Sequence, residues 1–141
     1  MSAEPARDGV STWCCQLQDS ELARVARSGD QLQLHLAAAC LRPGVSPVGP
    51  ATAYGHGLVL HLSGARCEGD IASALGRVLA WDWRTLADGS TPQTAALPLP
   101  WSCTQALRLH LHLQATQLDI WAQAAHLDWH GPPRMTEAYA C

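Results

Sequence analysis

The chain contains no lysine, no asparagine and no phenylalanine, and its only isoleucines are Ile71 and Ile120. The missing types share AT-rich codons, whereas the abundant alanine, leucine, arginine, glycine and proline have GC-rich ones. This points to a GC-rich genome, read as bacterial, and makes the absent lysines a matter of base composition. It also means that leucine stands where β-branched residues would suit a strand better. Charge is sparse as well: charged residues make up 15% of the chain, the formal net charge is -3, and the nine cations are all arginine. These arginines are scattered. Binding nucleic acid through counterion release needs a clustered basic face, so no nucleic-acid partner is expected. No apolar run approaches the ~20 residues of a membrane span, so no membrane partner is expected either. The polar opening MSAEPARDGV lacks the apolar core of a secretory signal. The expected location is the cytoplasm.

Several catalytic signatures are also missing. There is no Gly-x-Ser-x-Gly elbow, no phosphate loop and no dinucleotide fingerprint. The six cysteines include no Cys-x-x-Cys. Cys14 and Cys15 are adjacent and point to opposite faces of a strand, while Cys40, Cys67, Cys103 and Cys141 are far apart. Free thiols in a reducing compartment are expected. A 141-residue chain with 48% hydrophobic residues buries enough surface to fold without such staples.

What the sequence does have is alternating leucine. Leu32, Leu34 and Leu36 alternate with Gln31, Gln33 and His35. Leu58, Leu60 and Leu62 alternate with Val59 and His61. Leu107, Leu109, Leu111 and Leu113 alternate with Arg108, His110 and His112. A period of two places the leucines of each run on one face of a strand and the polar residues on the other. The expected fold is all-β and mainly antiparallel: a sandwich or partly closed barrel of about six to eight strands, with at most one or two short helices.

Residues 1–11 read as a mobile leader and 12–141 as a single β domain. Residues 13–17 start the first strand. Asp19 to Gly29 has two readings, a short capped helix or a strand over 22–27 turning at Ser28-Gly29-Asp30. The hairpin is preferred, because Gly-Asp between alternating residues is a turn signal. Residues 42–57, rich in proline and glycine, read as a loop, as do 90–100. Ile71, Leu75, Val78 and Leu79 share a helical face, so 70–79 reads as a short helix despite Gly76. Further strands are expected over 81–86, 106–113, 118–122 and 125–129, with Gly131-Pro132-Pro133 ending the sheet.

Two segments carry a resemblance. Leu17-Gln18-Asp19-Ser20-Glu21-Leu22, followed by Gly29-Asp30 and the Leu32 strand, is similar to the opening of small, mostly uncharacterised bacterial all-β domains with a His-Asp-x-x-Leu element. Leu97-Pro98-Leu99-Pro100, the strands after it, and Gly131, Arg134, Glu137 and Cys141 resemble their C-terminal third. Some of those domains resemble immunity proteins of bacterial toxin systems. Gln18 replaces the histidine of that opening, and the resemblance implies no catalytic residues here.

The chemistry-bearing candidates are few. His110 and His112, two apart on a strand, share a face and could ligate one ion. His35 and His61 lie on polar faces of other strands and could add a third ligand if the strands were neighbours in register. The bland alternative is a solvated face. The upstream glycine and downstream glutamate of a cupin site are absent. His126, Asp128 and His130 alternate near the end, where Asp128 could orient an imidazole. Asp19 with Glu21, and Glu68 with Asp70, are carboxylate pairs of the kind usually found solvated at turn edges. Six tryptophans are many for this length. Trp121 falls on the polar parity of its strand, and Trp81 and Trp83 share a face. These three are the candidate interface residues.

Together these features favour a non-enzymatic protein-binding domain. Its most concrete form is a toxin-neutralising immunity protein that binds a cognate toxin and needs no cofactor, with homo-oligomerisation open. The alternative is a zinc-binding β-fold protein or metalloenzyme using the His-x-His strand. A small-ligand barrel is the third reading.

Overall fold

The leucine alternations fold as antiparallel strands. In the computed structural model, which describes residues 13–44 and 53–137, the strands are β1 (Trp13–Ser28), β2 (Gln31–Pro43), β3 (Ala53–Ser63), β4 (Arg66–Glu68), β5 (Gly76–Thr85), β6 (Leu97–Pro98), β7 (Trp101–Cys103), β8 (Leu107–Leu113), β9 (Gln117–Ala122) and β10 (Ala124–Glu137). Every strand pairing is antiparallel. The order is β4-β9-β8-β5-β1-β2-β3-β10-β7, with β6 beside β1.

The sheet is open and curls into two limbs. Leu17, Leu60, Leu62 and Ala125 of the β1-β2-β3-β10 limb surround the same gap as Trp81, Trp83, Leu107 and Leu109 of the β5-β8-β9-β4 limb. The alternating leucines therefore meet across one shared core. Leu34, Leu60, Leu109 and Leu111, the centres of the three runs, are no more than 3% exposed. The gap measures about 10 Å³, about the minimum for one water. This gap is too small for a ligand larger than a water.

The preferred hairpin at 28–31 is present. Ser28 pairs with Gln31 across Gly29-Asp30, and Gly29 has φ 61° while Asp30 does not enter the left-handed region. Positive φ at the first central position alone is the type II′ pattern, which matches strand twist.

Several expectations are corrected. Among the described residues there are ten strands, not six to eight, because β4, β6 and β7 are too short for periodicity to show. The helix over 70–79 is absent: a 3-10 turn covers Ile71–Ser73, capped by Asp70 through the Ala72 N–H, and β5 starts at Gly76. The sheet does not end at Gly131-Pro132-Pro133. β10 runs on to Glu137, absorbing the prolines in a register shift between Trp129 and Arg134. β7 pairs β10 only at 125–127, so these prolines lie where one edge is open and a missing N–H is tolerated. The expected loop over 42–57 is strand at both ends, through Pro43 and from Ala53. The proposed leader and residues 45–52 lie outside the described residues.

One buried polar group shapes the sheet. Ser20 is fully buried; its hydroxyl donates to the Gln16 carbonyl at 2.7 Å and accepts the Cys40 N–H at 2.9 Å. The β1–β2 register shifts repeatedly between Gln16 and Arg24. Asp19, beside Ser20, is held at φ 72°, the one positive-φ non-glycine among the described residues. Ser20 replaces ladder bonds that the bulge would otherwise leave unmade.

Candidate functional site

The outer face of the β5-β8-β9-β4 limb carries the side chains opposite the leucines. Pairing aligns them in two rows across the strands. Arg66, Trp121, Arg108 and Arg84 form one row; Glu68, Asp119, His110 and Asp82 form the next. Trp121 is half-buried and lies between two guanidiniums, with Arg66 at 4.5 Å and Arg108 at 5.4 Å from its ring centroid. Such cation–π contacts fix ring and guanidinium together. Asp119 locks the arrangement, accepting from Arg108 Nη2 at 2.7 Å and from His110 Nδ1 at 3.0 Å. Partial burial opposes ionisation of Asp119, but the His110 and Arg108 hydrogen bonds prevail and hold its carboxyl below the usual range. Asp82 and Arg84 make no hydrogen bond or ion pair through their side chains with the described residues.

Trp121 therefore stands on the outer face, as its parity predicts. Trp81 and Trp83 share a face, but it is the inner one. Trp81 is 4% exposed and donates from Nε1 to Gln16 Oε1 at 2.8 Å. Trp83 packs edge-on against Trp101, ring centroids 5.1 Å apart. Trp81 is thus corrected from an interface to a core residue, and Trp83 is a partly buried one packed against that core. Both pair with inward leucines of β8, Leu111 and Leu109, so alternation with Asp82 was the signal that placed them.

The proposed zinc set does not assemble. His110 and His112 lie on the outer face of one limb, His35 and His61 on the outer face of the other, with the core between them. Among the described residues no three His, Cys, Asp or Glu side chains are grouped to hold a metal ion. His61 instead faces His126 across β3–β10, ring centroids 6.3 Å apart. His126 meets Ser102 Oγ through Nδ1 at 2.8 Å, with Asp128 Oδ2 3.9 Å from Nε2. His35 bonds Gln33 Oε1 at 3.0 Å. Burial lowers the pKa of both His35 and His61, and neighbouring charges add to this: Arg24, His130 and His61 around His35, and His126 and His130 around His61. Their surroundings thus disfavour the charged form of both imidazoles.

The sequence reading missed Arg66, Arg108 and Asp119 as partners of Trp121. Their rows depend on which strands are neighbours and in what register, which no local pattern reports. Of the carboxylate pairs, Asp70 caps the 3-10 turn, Glu68 reaches Arg66 only at 3.9 Å, and Asp19 is ion-paired to Arg77 at 2.7 Å. The five described cysteines are all free; Cys141 lies outside the described residues. No helix among the described residues is long and apolar enough to cross a membrane. Compared with known proteins, the chain matches no family model, no curated protein and no solved structure.

Proposed function

We propose that this chain is a non-enzymatic protein-binding domain whose partner docks on the outer face of β5, β8, β9 and β4. The observation that carries this reading is Trp121, half-exposed and clamped between Arg66 and Arg108. Tryptophan and arginine are the residue types that dominate binding hot spots. Here their geometry is set before binding by the Asp119 contacts, which lowers the ordering cost of association. The adjoining basic and acidic rows supply charge complementarity that fixes a partner's register.

The most concrete partner is a bacterial toxin that the chain neutralises in the cytoplasm. The similarity of the Leu17–Leu22 and Leu97–Pro100 segments to bacterial β-domains, some resembling immunity proteins, supports this form. The test is co-expression with the product of the adjacent gene. That product alone should arrest growth; the wild-type chain should restore it and form a stoichiometric complex. Trp121→Ala should lose both effects while melting like wild type. A non-toxic neighbour, or full protection by Trp121→Ala, overturns the proposal.

A further inference from the structure

The outer face of the β1-β2-β3-β10 limb holds an open cleft of about 620 Å³, within the roughly 300–1,000 Å³ of small-molecule sites. Ala38 and Cys40 of β2, both short, lie at its base, with Cys40 almost wholly covered by its neighbours. Pairing puts Glu21 and then Arg77 beside Ala38 on one side, and Tyr54 and then Thr136 beside Cys40 on the other. Arg42 and His56 also line the cleft. A basin of this kind in a sheet face needs small residues ringed by long ones, and this register provides it.

The walls are held in place. Asp19 enters the cleft from the bulge that buried Ser20 secures, at the positive φ noted above. Strained backbone kept in place by surrounding structure is found preferentially at functional sites. Asp19 Oδ1 takes both contacts from Arg77, Nη2 at 2.7 Å and Nε at 3.2 Å, so Oδ2 keeps its lone pairs. His56 is fixed at both nitrogens. The Ala37 carbonyl at 3.0 Å can only accept, so Nδ1 donates to it, and Nε2 shares a hydrogen bond with the Thr136 hydroxyl at 2.8 Å. The Glu21 carboxylate makes no hydrogen bond or ion pair with the described residues.

We propose that this cleft binds a small zwitterion of the α-amino acid class. Among the described residues its charged lining is two carboxylates, Asp19 and Glu21, and two guanidiniums, Arg42 and Arg77. A simple anion seated on Arg77 would lie against Asp19 and Glu21. A simple cation seated on Glu21 would lie against Arg77. A ligand with an ammonium and a carboxylate a few bonds apart meets both signs at once: ammonium to Glu21 and Asp19 Oδ2, carboxylate to Arg77. The Tyr54 and His56 rings offer a flat wall to its side chain. The volume accepts a free amino acid or a dipeptide, and the same ammonium and carboxylate chemistry serves either source.

The test is calorimetric titration of the full chain with L-arginine, L-glutamate, L-leucine and L-phenylalanine, each also as methyl ester and as N-acetyl derivative, and with the matching glycyl dipeptides. At least one free amino acid or dipeptide should saturate with Kd below about 1 mM, and both of its blocked forms should bind at least about tenfold more weakly. Which of the two sources binds more tightly identifies the natural one. Glu21→Gln, at an exposed position, should weaken binding about tenfold with an unchanged urea midpoint. Arg77→Gln should do the same for the carboxylate end. No saturable binding by any member up to about 10 mM, or equal binding of the esters and N-acetyl forms, overturns the proposal. Neither result bears on the Trp121 face, which lies on the other limb.

Discussion

Replacing Ser20 with alanine removes one oxygen and should cost far more than an ordinary surface hydroxyl. Ser20 is fully buried, and its Oγ joins the Gln16 carbonyl to the Cys40 N–H. Cys40 is itself only 1% exposed, so water cannot readily take over the orphaned N–H. A buried unsatisfied donor costs roughly 1–3 kcal/mol, whereas a carbonyl that loses a donor is better tolerated. We expect a loss of about 2 kcal/mol. With a urea m-value of about 2 kcal/mol/M the midpoint should fall by about 1 M, with the slope unchanged. Ser102→Ala removes a hydroxyl that also makes a hydrogen bond, to His126, but at an exposed site, and should cost less than about 0.5 kcal/mol. In amide exchange, the Cys40 N–H should lose protection in Ser20→Ala beyond the global change. A Ser20→Ala variant within about 0.5 kcal/mol of wild type, with Cys40 still protected, would show that the serine is not what holds the bulge.

Three further outcomes follow from the core and its rim. Leu109→Ala, at a position 3% exposed between the limbs, should lose about 2–5 kcal/mol in a denaturant melt; under about 1 kcal/mol would mean the leucine face is misplaced. Stability should fall on acidification from pH 7 to 5. His35 and His61 have folded pKa values below the ordinary 6.5, so the unfolded chain binds their protons more readily; their contribution is whole above that value and is lost as pH falls through the folded pKa. The double variant His35→Gln/His61→Gln should flatten that slope, and an unchanged slope would contradict the assignment. In native thiol titration Cys15, pushed up to about 12 by burial, should stay unreactive with its buried neighbours Cys14 and Cys40, while Cys67 and Cys103 label first; fast labelling of Cys15 would refute its place in the core.

The strands that alternate cleanly were legible, and the places where bulges break alternation were not. Leu107 to Leu113 reads as a strand because each leucine faces in and each polar residue faces out. The start of β5 read as a helix because Ile71, Leu75, Val78 and Leu79 fall at helical spacing. The strand's register instead shifts between Val78 and Ala80, and of the supposed helical partners Val78 is buried while Leu75 and Leu79 are 56% and 44% exposed. The same limit applies to the sites. The parity of Trp121 was visible beside Leu118 and Ile120, but Arg66 and Arg108 reach it from two other strands. The two histidine pairs were separated by strand order, which no local spacing encodes. Asp19 and Glu21 read as turn-edge acids because the bulge that aims Asp19 into the cleft depends on Ser20 contacting Cys40, twenty residues away.

The affinity of Trp121→Ala for the proposed protein partner tests most directly whether Trp121 anchors it. Binding should weaken by about thirtyfold or more, a hot-spot loss of about 2 kcal/mol, with the urea midpoint unchanged. His126→Ala, on the outer face of the opposite limb, should bind like wild type. Undiminished affinity in Trp121→Ala, or an equal loss in His126→Ala, would contradict the account.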